Sequence, residues 1–163
     1  MNDLSYNIRE AVEEDIPELC KCFEIMYGEL VHFGLPFELN ILKVQEMLNI
    51  MIRSKFNVIF VLEHESSISG MLIATASKLE SRFKTSTYGG MVGKMTELFV
   101  KQELRGRGIA EKLYTKAEEW YKSLGISFIE LDVLEQNSTA RKFWEKQGFT
   151  NMSRLMYKII DND

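Results

Sequence analysis

Glu97-Leu98-Phe99-Val100-Lys101-Gln102-Glu103-Leu104-Arg105-Gly106-Arg107-Gly108-Ile109-Ala110 is the stretch on which the reading of this chain turns. Met91 to Val100 has the apolar and β-branched content of a strand, and a short glycine-bearing turn follows it. A long helix over about 108–124 comes next, with Ile109, Leu113, Ala117, Trp120 and Leu124 along one face and Gly125 as its stop. Glycine lets the backbone turn tightly and bring its N–H groups close to a ligand. At a helix N-terminus those N–H groups lack intrahelical partners and sit at the positive end of the dipole. With Arg105 and Arg107 added, the turn suits a phosphate or pyrophosphate. Two nucleotide readings fail on residue identity. A dinucleotide fingerprint needs glycine where Glu111 stands, and a P-loop needs Gly-Lys-Ser or Gly-Lys-Thr, which is missing. The plainer alternative is a helix start that happens to carry two glycines and exposed arginines.

Upstream of this stretch, residues 4–10 read as a strand, and Asp15-Ile16-Pro17-Glu18 carries a capping acidic residue with proline in the first helical turn. Leu19, Phe23, Met26, Tyr27 and Leu30 follow at helical spacing, and Ile41, Val44, Leu48 and Met51 carry a second helix. Phe56–Glu63 and Ile68–Leu79 form a hairpin across Glu65-Ser66-Ser67, and 80–90 is a polar loop. Downstream, Ile126 to Leu134 reads as a strand. Asn137 or Ser138 caps a short helix with Ala140, Phe143 and Trp144 inward, and Phe149 to Ile160 reads as a last strand or pair of strands. The order β-α-α-β-β-β-α-β-α-β is mixed α/β with an antiparallel majority and one β-α-β unit.

The chain has 163 residues, which predicts a single domain over 1–163. With 24 acidic against 20 basic residues the net charge is -4, which argues against a surface that coats nucleic acid. The longest apolar run, Val58 to Leu62, is far short of the roughly 20 residues of a membrane span, so no membrane partner is expected. Met1-Asn2-Asp3-Leu4 does not begin a secretory signal. Cys20 and Cys22 stand two apart on a helix with no further ligands beside them, so they read as packing thiols of a reducing compartment, the cytoplasm. No metal is expected.

Arg105-x-x-Gly108-x-Ala110 resembles the pyrophosphate-binding motif of the GNAT superfamily of acyl-CoA N-acyltransferases. Asn137-x-x-Ala140-x-x-Phe143-Trp144-x-x-x-Gly148-Phe149 resembles the family's second motif on the CoA side, and Ile8-Arg9-Glu10-Ala11 with Glu14-Asp15-Ile16-Pro17 is similar to its first strand and helix. The resemblance covers about residues 6–160 and is strongest from Glu97 to Phe149. It implies a mostly antiparallel central sheet with one splayed parallel pair, acetyl-CoA as cosubstrate, and direct attack of an amine on the thioester. Backbone N–H groups of Arg105, Gly106, Arg107, Gly108, Ile109 and Ala110 would hold the pyrophosphate. The strand ending at Val100 would splay from the next one, so that backbone at Phe99 and Val100 pairs with the pantetheine arm and faces the developing oxyanion. Asn137 would hydrogen-bond that arm, besides capping its helix, and Phe143 would pack beside it.

Glu97 is the candidate catalytic residue. Met95, Glu97 and Phe99 share one face of a regular strand, which sets a carboxylate between apolar neighbours. A buried acid is costly unless it is paired or near water. In many relatives a glutamate here is the general base, often through water. An amine with pKa near 10 is only about one part in a thousand neutral at pH 7, a deficit of about 4 kcal/mol. The alternative is a solvated glutamate or one paired with Lys94. Trp144 departs from the family pattern, because many relatives have a tyrosine there that protonates the leaving thiolate, and an indole N–H is not a useful acid. Water, the ammonium proton or Tyr157 would then serve, and Trp144 reads as core packing beside Phe143. His32 and His64 read as surface or loop residues. The expected function is transfer of an acetyl group to a primary amine, on a small molecule or a peptide. A CoA-binding sensor or regulatory module without turnover is the alternative. Homodimers are common among relatives, although no feature of this chain demands one.

Overall fold

The computed structural model describes residues 5–84, 86 and 88–160. Five strands, β1 (Tyr6–Glu10), β2 (Asn57–His64), β3 (Ser67–Lys78), β4 (Met91–Val100) and β5 (Ile129–Leu131), form one sheet in sequence order. β1 to β4 pair antiparallel, and β4 pairs with β5 in parallel. A parallel pair needs a long crossover, and α3 (Ile109–Ser123) supplies it. The mixed α/β class with an antiparallel majority is therefore the architecture observed.

Helices cover both faces of the sheet. Val58, Phe60, Leu62, Leu72 and Ala74 pack with Leu113, Ala117 and Tyr121 of α3 and with Trp144 of α4 (Ser138–Lys146). Ile59, Val61, Met71 and Ile73 pack on the other face with Leu19 and Phe23 of α1 (Ile16–Val31) and Leu48 of α2 (Ile41–Ile52). Burial on both faces explains why Val58 to Leu62 is apolar without alternation. No helix among the described residues is long and apolar enough to cross a membrane.

Three local expectations are corrected. The first is the face shared by Met95, Glu97 and Phe99. Ile73 lies opposite Glu97 while Ala74 lies opposite Met95, so the register slips at Thr96. This bulge puts Met95 in the α3 and α4 core and Phe99 in the α1 and α2 core. Glu97 follows Phe99, away from Met95. The second concerns the C-terminal run. Residues 149–160 form no strand, and Leu155 and Met156 are 95% and 83% exposed. β5 is three residues long, not the expected span from Ile126 to Leu134, and offers too short an edge to pair with. The third is Asp15, which does not cap α1 with its side chain. Its carboxylate is buried and turns back to Arg9, accepting Nη1–H at 2.7 Å and Nη2–H at 2.9 Å, and it also takes the Val12 N–H.

Candidate active site

After β4 the chain makes a short 3-10 turn at Gln102–Leu104, and α3 starts at Ile109. Gly106 and Gly108 both have φ of +73°, the left-handed region that glycine enters without strain. A Cβ built on either would meet nothing within 4 Å, so the two glycines border open space. The N–H groups of Gly106, Arg107, Gly108, Ile109 and Ala110 have no acceptor among the described residues, and no side chain caps α3. An open concavity ringed by unpaired donors at a helix N-terminus fits a pyrophosphate.

Arg105 departs from its expected place in that ring. Its N–H is bonded to Gln102 O at 3.2 Å. Its side chain donates through Nε to Val100 O at 2.7 Å and through Nη2 to both oxygens of Glu29, at 2.9 and 2.8 Å. The guanidinium also lies 5.8 Å from the centre of the Phe99 ring. Arg105 thus braces the loop against β4 and α1, and Arg107 is exposed in the turn with no such bond among the described residues.

Beside the cradle the sheet opens. β4 and β5 pair only from Gly93 opposite Ile129 to Met95 opposite Leu131, and β4 runs on to Val100 without a β5 partner. The β5-side backbone edge of β4 beyond Met95 has no strand beside it, and the Val100 carbonyl at its end accepts from Arg105 Nε. The side chains of Phe99 and Val100 are themselves buried. Asn137 caps α4, its Oδ1 accepting the Ala140 N–H at 3.1 Å, and its NH2 makes no hydrogen bond among the described residues. Phe143 is half-buried against Trp144, with ring centres 4.8 Å apart.

Glu97 lies on β4 past the last residue paired with β5, and its side chain turns to α1. The Tyr27 hydroxyl donates to its Oε1 at 3.1 Å. Burial pushes the Glu97 carboxyl from 4.5 up to about 7, and the hydrogen bond from Tyr27 pulls the other way. Burial, with help from that carboxylate, raises the Tyr27 hydroxyl to about 12, so it stays a donor. Pairing of Glu97 with Lys94 does not occur: Lys94 Nζ meets Asp132 at 2.6 Å. A carboxyl poised near neutral in a cleft is suited to proton transfer. Sequence reasoning treated Tyr27 as a packing residue of α1. Its partner lies seventy positions away, and helical spacing carries no signal for such a contact.

Trp144 is buried among Tyr114, Phe143 and Phe149, all with edge-on ring geometry, which is a packing role. Tyr157 is 72% exposed in the C-terminal run, so the structure does not bring it to the site. His32 is exposed at the end of α1, its Nδ1 2.9 Å from Gly28 O, and His64 ends β2 at the hairpin. Cys22 is buried and Cys20 half-buried, both free.

The family model for the acetyltransferase (GNAT) family matches residues 25–149, and the chain belongs to that family. Acetyl-CoA is the acyl donor the family uses. An uncharacterised N-acetyltransferase of Methanocaldococcus jannaschii is 40% identical over 58 residues, which is 36% of this chain and 26% of that protein. The chain thus matches about a quarter of that relative's length. A predicted acetyltransferase of Clostridium acetobutylicum, crystallised with acetyl-CoA, superposes with a TM-score of 0.79 at 18% identity, covering 95% of this chain and 96% of that one. The aminoglycoside N-acetyltransferase AAC(6')-Iy, solved with CoA, superposes with a TM-score of 0.76 at 15% identity, covering 96% and 95%.

Proposed function

We propose that this protein is an N-acetyltransferase that moves the acetyl group of acetyl-CoA to a primary amine by direct attack, in the cytoplasm. The observation that carries this reading is Glu97. Its carboxyl, held near 7 by burial and aimed by Tyr27, stands beside the opening where β4 leaves β5. When bound, acetyl-CoA supplies an electrophilic thioester carbonyl. The N–H groups from Gly106 to Ala110 hold its pyrophosphate and the free edge of β4 aligns its arm, with Asn137 and Phe143 on the far side. Glu97, as carboxylate, takes a proton from the incoming ammonium, directly or through one water, and so supplies the neutral nucleophile. As the new C–N bond forms the C–S bond breaks, and the sulfur leaves as a thiol once protonated. With Trp144 buried in packing and Tyr157 remote, water or the ammonium proton is the source of that last proton.

The test is release of CoA thiol from acetyl-CoA across a panel of primary amines, with Glu97→Gln in parallel. Amine-dependent release that Glu97→Gln strongly reduces supports the enzyme. The second reading, a CoA-binding module without turnover, rests on Trp144 standing where a tyrosine acid is common. It predicts acetyl-CoA binding with no thiol release for any amine.

A further inference from the structure

A pocket of about 370 Å³ opens between the end of α1, the segment 32–40 and the face of α2. Tyr27 links it to the proposed base, since it lines the pocket and its hydroxyl bonds Glu97. Leu35, Leu39, Val44 and Met47 form the rest of the wall, and Phe37, 72% exposed, stands at the rim. The polar lining is largely committed elsewhere. Asn40 Oδ1 accepts the Lys43 N–H at the start of α2, and Lys43 Nζ lies 2.6 Å from Glu46. Glu38 is the remaining charge in the lining, on an exposed part of the rim.

We infer that this pocket receives the acceptor, and that the acceptor is a primary amine carried on a compact apolar body, a short alkyl chain or a single aromatic ring. This rests on the acetyltransferase reading and deepens it. The amine is placed by charge: Tyr27, which lines the pocket, is hydrogen-bonded to Glu97, the carboxyl that would take its proton. The body is placed by the hydrophobic effect, because each group that enters leaves water for side chains of Leu, Val and Met. The size agrees, since ligand pockets span roughly 300–1,000 Å³ and this one lies near the lower limit. A polycationic aminosugar, the class named for the AAC(6')-Iy neighbour, would leave its hydroxyls and extra ammonium groups unpaired against apolar walls, which is costly.

The experiment compares ethylamine, butylamine, hexylamine and phenethylamine with ethanolamine and kanamycin. Each is titrated by calorimetry into protein saturated with CoA and assayed for thiol release with acetyl-CoA. Affinity and kcat/KM are expected to rise about fourfold per methylene until the pocket is full. Phenethylamine should exceed ethanolamine by at least tenfold. Phe37→Ala, at an exposed position with little bearing on the fold, should weaken phenethylamine about fivefold and leave the KM for acetyl-CoA unchanged. Leu39→Ala should act in the same direction. A flat alkyl series, a preference for kanamycin or ethanolamine, or no calorimetric binding of any amine overturns the acceptor class. Failure of the acetyltransferase reading looks different: the calorimetric series still rises with chain length while no amine releases thiol.

Discussion

Replacing Glu97 by glutamine should make the protein slower and, above neutral pH, more stable. The two effects have one cause. Burial raises the Glu97 carboxyl from 4.5 to about 7, so the folded protein holds this proton more tightly than the unfolded chain does. The sign follows directly. The stabilisation is fully present below the unfolded value near 4.5 and is lost as pH rises through about 7, where a charge must be kept in the cleft. The interval corresponds to at most about 3 kcal/mol. Glutamine carries no such charge and still accepts the Tyr27 hydroxyl. Its advantage over wild type should therefore be near zero at pH 4.5, grow towards pH 7 and level off above it. For a chain of this size that is a melting-temperature difference of up to roughly 6–12 °C at pH 8.

The catalytic consequence runs the other way. Loss of a general base lowers kcat by roughly 10²–10⁴. In wild type, kcat/KM should climb with pH through about 7 as Glu97 ionises, and the variant should lack that limb. At high pH it should recover part of the loss as more amine arrives neutral. The assays are thermal melts at pH 5 and pH 8 and thiol release from pH 5 to 9. A variant that melts no higher than wild type at pH 8 refutes the buried-charge reasoning. A variant with normal kcat and an unshifted pH–rate curve removes Glu97 from the mechanism.

Gly108→Asn should weaken acetyl-CoA binding at least tenfold, measured by calorimetry, with little change in melting temperature. Asparagine tolerates the left-handed φ of +73°, yet its side chain enters the open space where the cradle faces its ligand. Valine there would strain the backbone and confuse binding with folding. Gly93→Ala should destabilise by about 1–3 kcal/mol in urea titrations, because its Cβ would come within 2.4 Å of the Tyr121 ring, which is fully buried. Asp15→Asn should cost about 2–3 kcal/mol, because Arg9 loses its charged fork and keeps Glu63 and the Glu10 carbonyl. The Arg9 guanidinium holds the Asp15 carboxyl below its usual range, so this stabilisation is present above about pH 4 and fades as pH falls through the lowered value.

The cradle was legible because it is local. Strand, glycine turn and helix follow one another within fourteen residues, and each has a signal of its own. The sheet order was legible for the same reason, since hairpins and the single crossover join neighbours. What failed depended on register or on distant partners. A strict alternation put Glu97 beside Met95, and the slip at Thr96 cancels it, although nothing in Met-Thr-Glu-Leu-Phe marks a bulge. Arg105 fits a phosphate motif equally well whether its side chain faces the ligand or braces the loop. Only Glu29 on α1 shows which it does. Phe149 to Ile160 has strand composition, but a strand exists only where another edge receives it.

Two of these misses, at Glu97 and at Arg105, meet on α1, and that ties the two halves of the candidate site together. α1 presents Tyr27 to Glu97 and, two residues later, Glu29 to Arg105. One contact sets the carboxyl proposed to meet the amine. The other fixes the loop whose N–H groups are proposed to hold the pyrophosphate, while Arg105 Nε holds the carbonyl of Val100 at the end of β4. The helix therefore spaces the acceptor side from the donor side, and the bulge at Thr96 turns Glu97 towards that helix. Without the bulge the carboxyl would share the face of Met95 and point into the α3 core, away from Tyr27. Geometry of this kind comes from long-range contacts, so it is carried by the folded chain and not by any one motif.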